Sequence, residues 1–170
     1  MASQRMLVRR QRSAAASLAI CSRKRSWRQQ QSKPGGSVSE DLIVQSLEIA
    51  AENGDITEQI YQRYYEISPE SAELMRYVDD NVKGKMMDEI YRLLMVQDYA
   101  EESAYLNWEV DNHEMAYSVL PRMYDGLFEA VYETVEACLG DNWTDACAAA
   151  WHERLGSLQQ EVLDRFSKAS

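Results

Sequence analysis

From Leu42 to Phe166 the apolar residues recur at intervals of three and four, and nowhere do they alternate for long with period two. Such spacing lines one face of an α-helix, whereas a half-buried strand needs every second residue apolar. The pattern therefore selects an all-α body. Leu42, Ile43, Leu47 and Ala50 form a first stripe behind Ser37-x-x-Glu40, a capping box whose hydroxyl and carboxylate satisfy free amide N–H groups. Asn53-Gly54-Asp55 breaks that helix. A second helix is expected from near Thr57, with Ile60, Tyr61, Tyr64 and Tyr65 on one face. Ser68-Pro69 starts a short element, because proline suits a first turn but cannot continue a helix. Asp79-Asp80-Asn81 reads as the entry to a long helix whose stripe is Met86, Met87, Ile90, Leu93 and Leu94. A more polar stretch, residues 98–112, carries Tyr105, Leu106, Trp108 and Val110 and leads into His113. Pro121 opens a helix with Tyr124, Leu127, Phe128, Val131, Val135 and Leu139 inward, and Gly140 ends it. Asn142 or Thr144 can cap a last helix with Cys147, Trp151, Leu155, Leu158, Val162 and Phe166 inward. Six to eight helices are expected in all.

Charge divides the chain at one point. Residues 1–38 hold nine Lys and Arg and no acid, while the rest holds nine bases against all 28 acids, a balance of −19. The first segment is rich in Ser, Ala and Gln and ends in Lys33-Pro34-Gly35-Gly36. Basic, Ser-rich and acid-free is the profile of an organelle transit peptide, and more Arg and Lys after the Ala14–Cys21 stretch make a secretory signal a poor fit. A solvated basic tail and an arm for an acidic partner are the alternatives. Residues 1–36 are thus read as a disordered basic segment, and 37–170 as the folded domain. The transit reading implies a mitochondrion or plastid; otherwise the expected place is the cytoplasm.

Several function classes recede on composition. The overall charge of −10 argues against a nucleic-acid partner, and no run of 18 apolar residues exists to span a membrane. Cys21, Cys138 and Cys147 make neither a disulfide framework nor a zinc pattern; the last two fall on apolar stripes and read as core thiols. No Ser/His/Asp or Cys/His grouping, phosphate loop or paired-carboxylate site stands out. Of the two histidines, His152 lies beside its helix's apolar stripe and is expected at the surface.

Three local patterns resemble the globin family, nearest to flavohaemoglobin-type and bacterial globins, over roughly residues 40–167. Ile60-Tyr61-Gln62-Arg63-Tyr64-Tyr65 followed by Ser68-Pro69-Glu70 looks like their second helix and next corner, with the pocket tyrosine eight residues before the proline. His113 precedes a helix containing Tyr124 and Leu127, where globins place the iron-binding histidine. Leu139-Gly140-Asp141-Asn142-Trp143-Thr144 followed by Ala150-Trp151 looks like the last turn and helix of many globins.

The resemblance implies a globin-like fold around haem b, with iron held by His113 and one face left for dioxygen or another diatomic gas. It implies Tyr61 as distal hydrogen-bond donor, Val82 at the distal gate, Lys85 near the haem edge and Met86 over the iron. Lys85 and Lys83 become candidates to pair with the haem propionates, or are plain surface lysines. Tyr117 is placed beside the cofactor, and Met75 where the family has a phenylalanine packed on it. Two other departures stand out. The distances from His113 to Tyr124, Gly140 and Trp151 are each one residue longer than the family norm, and Glu109 sits where an apolar residue is usual. A gas-binding role in storage, scavenging, sensing or nitric oxide chemistry follows from the resemblance, with any redox turnover needing an external reductase. A homodimer is left open. The alternative is a haem-free globin-fold module for partner binding or dimer signalling.

Overall fold

The computed structural model describes residues 38–52 and 54–168. The basic segment, Cys21, and Ser37 of the expected capping box lie outside the described residues. Among the described residues there are seven α-helices: α1 (Val38–Glu52), α2 (Thr57–Ile67), α3 (Pro69–Leu74), α4 (Asp80–Leu94), α5 (Ser103–Tyr117), α6 (Pro121–Leu139) and α7 (Asp145–Lys168). One 3-10 turn, Gly140–Asn142, joins the last two, and no strand occurs among the described residues. No helix among them is long and apolar enough to cross a membrane.

The boundaries follow local chemistry. Asp79 Oδ1 accepts from the Val82 amide at 2.9 Å and starts α4. Pro69 and Pro121 occupy the first turns of α3 and α6. Gly140, at φ +50°, closes α6. Of the two candidates for capping α7, Thr144 does so, its Oγ1 accepting from the Cys147 amide at 3.2 Å.

Helix α6 is the hub: α1, α2 and α7 pack on it, and α1 also lies along α7. Helices α4 and α5 both lean on α7, and α4 touches α2, but α4 and α5 share no comparable backbone packing. Side chains bridge them instead, as Arg92 of α4 grips Glu102 at the head of α5 through both terminal nitrogens at 3.0 Å. Arg92 Nη2 also meets Glu89 at 2.7 Å.

The expected stripes are buried. Ile43, Leu47, Ala50, Ile60, Tyr61, Met87, Leu94, Leu127, Val131, Val135 and Trp151 all belong to one core. Tyr65, Met86 and Tyr124 are half-buried against it. Cys147 is a core thiol as read, whereas Cys138 is half-buried. A polar pin lies inside: Trp151, fully buried, donates its indole N–H to Ser46 Oγ at 2.8 Å, and Ser46 donates to the Ile43 carbonyl at 2.7 Å. Gly126 lets α6 approach the end of α2, for a Cβ there would stand 3.3 Å from Ile67 Cγ2.

Candidate functional site

Helix α2 supplies three phenols. Tyr61, Tyr64 and Tyr65 fall three and four residues apart, so their rings gather with centroids 5.9–6.4 Å apart. Tyr61 is 3% exposed and donates its O–H to the Lys83 carbonyl at 3.3 Å. Burial first, then the neighbouring Tyr65 and Tyr64, hold the Tyr61 phenol well above its ordinary pKa, so it remains a donor. Tyr64 is raised by burial too, partly offset by a hydrogen bond with Ser71.

Across from them, α4 turns Lys83 inward. Its ammonium lies 5.7 Å from the centre of the Tyr61 ring and 5.8 Å from that of Tyr65, within cation–π range. Lys83 and Met87 are one turn apart and share this face, and Met87 is fully buried. The same rotation carries the expected gate residue Val82 outward, to 42% exposure, and leaves Lys85 exposed. Met86 is half-buried and Met75, just past α3, is buried.

Helix α5 holds the other half. Tyr105, Glu109, His113 and Tyr117 recur at intervals of four and share one side of the helix. His113 Nδ1 is 2.9 Å from the Glu109 carbonyl oxygen and 3.2 Å from Glu109 Oε1. Two acceptors at one nitrogen fix the proton on Nδ1 in the neutral ring and leave Nε2 with its lone pair. The ring meets Tyr117 at 6.1 Å and the edge of Tyr124 at 6.0 Å. Tyr117 itself is 56% exposed. Burial raises the Glu109 carboxyl, His113 pulls it back, Glu89 raises it further, and a hydrogen bond from Tyr105 lowers it. Burial, and then Glu109 and Glu89, raise the Tyr105 phenol.

Tyr124 of α6 stands between the halves. It feels Glu109, Tyr64 and Tyr105 electrostatically, and burial, the dominant cause, holds its phenol well above the ordinary value. The Tyr124 and Tyr65 hydroxyls are buried and have no hydrogen-bond partner among the described residues. An unpartnered buried hydroxyl costs about 1–3 kcal/mol, so each of the two is a place where a polar partner would be favourable. No group of three His, Cys, Asp or Glu side chains is arranged to hold a bare metal ion among the described residues.

The sequence-predicted residues thus divide. Tyr61, Met75, Met86 and His113 have inward or partly buried positions; Val82, Lys85 and Tyr117 are on the water side. Sequence reasoning offered Lys83 as a propionate partner or a plain surface lysine, and did not single out Tyr65, Tyr105 or Tyr124 as polar lining. The four-residue recurrence along α5 and the Tyr61/Tyr65 spacing were the available signals. His152 is exposed as expected and stacks on Tyr132, with ring centres 4.5 Å apart. A separate cleft of about 380 Å³ lies at the Ser68–Pro69 corner beside Glu70, Arg122, Asp125 and Glu129, and none of the predicted residues lines it. No protein-family model matches the chain, and no curated protein matches it.

Proposed function

We propose that this chain is a globin-like protein that binds haem b through His113 and takes up dioxygen or another diatomic gas on the face of Tyr61. The observation that carries this reading is the bond from His113 Nδ1 to the Glu109 carbonyl, 2.9 Å long. An iron-binding imidazole needs one nitrogen anchored and the other free, and this bond supplies that arrangement within a single turn of α5. Two further observations support the reading. Helices α4 and α5 are joined by side chains rather than packed backbone, and the Tyr65 and Tyr124 hydroxyls are buried without partners. When bound, haem would supply an iron centre able to coordinate a small gas reversibly. His113 would hold it. Tyr61, kept protonated by burial, would offer an O–H to a ligand carrying partial negative charge. Met75 and Met86 would provide soft apolar packing. Any turnover with nitric oxide would draw electrons from an external reductase.

An absorption spectrum of the purified full chain tests this. A Soret band that shifts on reduction and again with carbon monoxide is expected, and His113→Ala should lose most haem affinity. A colourless protein that also refuses added hemin rejects the reading.

One observation favours the haem-free alternative. Trp108 and Met115 project from α5 at 60% and 85% exposure, seven residues apart and so on one side. A colourless protein that self-associates through that side would be a partner-binding or dimer-signalling module instead.

A further inference from the structure

One face of α5 is turned to water although it carries large apolar side chains. Ala104, Trp108, Asp111 and Met115 recur at intervals of four, three and four, so they stand in one stripe along the helix. All four are exposed, Trp108 and Met115 by 60% and 85%. The charge around them has one sign. Between Arg92 and Arg122 the sequence holds six acids, Asp98, Glu101, Glu102, Glu109, Asp111 and Glu114, and no Lys or Arg. Glu102 is taken by Arg92 and Glu109 lies against His113; the other four have no ion pair among the described residues. The same chain holds the complement. Residues 1–37 carry nine Lys and Arg and no acid, with Leu7, Val8, Leu18, Ile20 and Trp27 among them. They join the body at Val38, beside the loop that leads into α5, where Gln97 donates its side-chain amide to Glu40 in the first turn of α1. A chain of that length can extend about 120 Å, against about 22 Å for the whole of α5, so reach is no obstacle. A second copy of the domain would set carboxylates against carboxylates across this face, whereas the basic segment brings the opposite sign.

We propose that the chain's own basic segment, residues 5–33, docks on this face of α5, with its Lys and Arg against Asp98, Glu101, Asp111 and Glu114 and its apolar side chains over Trp108 and Met115. Opposite charge guides the approach, and covering the indole and the thioether supplies the short-range contact. The inference is independent of the haem reading. If the segment is cut off as a transit peptide, docking belongs to the uncut chain, and the cut bares Trp108 and Met115.

The experiment uses the full chain and a carbodiimide, which joins a lysine amine to a carboxylate only when the two are in contact. Unlabelled and nitrogen-15 chains are mixed, so that mass spectrometry separates links within one chain from links between chains. Lys24 and Lys33 should link within one chain to Asp98, Glu101, Asp111 and Glu114, in preference to Glu129, Glu136 and Asp164, which are equally exposed on other helices. These links should fade at about 0.5 M salt, where charges are screened within a few ångströms. Two variants, each first checked for native helix content, separate the contributions. Trp108→Ala with Met115→Ala keeps every carboxylate, and should lower the yield of those links about fivefold or more. Arg9→Gln, Arg10→Gln and Arg12→Gln together keep both lysines and leave the helical body untouched, and should lower it as well. Links spread evenly over all exposed acids overturn the proposal, since the segment would then be a tail with no seat. Links found only between chains overturn it in favour of a second copy as the source of the occupant. Yields unchanged by salt and by both variants overturn it too.

Discussion

The Tyr124 hydroxyl gives the most direct test of whether the interior between α5 and α6 waits for an occupant. The ring is well placed, with edge contacts to His113 at 6.0 Å and Phe166 at 5.8 Å, so Phe can replace it with no change of shape. Only the oxygen is lost. In the structure that oxygen is buried with no hydrogen-bond partner among the described residues, and such a group costs about 1–3 kcal/mol of desolvation. Tyr124→Phe should therefore stabilise the haem-free protein by about 1 kcal/mol, or about 4 °C in Tm for a domain of this size. Thermal and urea unfolding followed by far-UV circular dichroism would measure both. Tyr77→Phe is the control, since Tyr77 is 88% exposed and its substitution should change nothing. The gain should shrink once hemin is added, if the cofactor gives the hydroxyl a partner. A Tyr124→Phe protein that is less stable than wild type without hemin would show that the oxygen is already satisfied, and the case for an incomplete interior would lose one of its two hydroxyls.

Other expectations are simpler. Trp151→Phe removes the buried N–H bond to Ser46 while Ser46 keeps its bond to Ile43, and should cost about 2–4 kcal/mol from the lost bond and the volume left behind, read by urea unfolding. Glu102 is held below its ordinary value of 4.5 by its hydrogen bond from Arg92. Its folded pKa is depressed, so its contribution to stability is present above 4.5 and fades as pH falls through the lowered value; Arg92→Met should flatten that acid limb of a stability–pH curve. Tyr61→Phe should speed dioxygen dissociation from the reconstituted protein in stopped flow, and an unchanged rate would remove Tyr61 from the gas-binding role.

The helices were legible because their determinants are local. Period, proline position and capping residues mark several boundaries, and Asp79, Pro121, Gly140 and Thr144 sit where the sequence puts them; the start of α5 at Ser103 carries no such mark. The site was less legible because it depends on rotation. Aligning α4 by its methionines points Val82 and Met86 at the pocket, but packing against α2 buries Met87 and half-buries Lys83, about one-quarter turn away. A lysine reads as polar in any pattern, so periodicity could not reveal that its ammonium lies over two tyrosine rings. Ser46 was hidden for a similar reason: a serine inside an apolar stripe carries no mark that a tryptophan 105 residues away will bond to it.

Glu109 shows how a sequence departure changes meaning in three dimensions. An apolar residue at this place would fill core; the carboxylate instead lies 3.2 Å from the His113 ring, one helical turn back along α5. Leaving it half-buried is unfavourable, as its raised pKa records, and only His113 and the Tyr105 hydroxyl work in the other direction. A helix that merely needed to pack would do better with leucine. Tyr105, Glu109 and Tyr124 therefore concentrate unfavourable burial on the side of α5 that carries His113, and perturbed groups gathered in one place mark a working site more often than a stable core. The carboxylate also adds a second acceptor at Nδ1, which strengthens the tautomer that leaves Nε2 free. In that light the residue that departs from the globin pattern favours the ligand role proposed for His113.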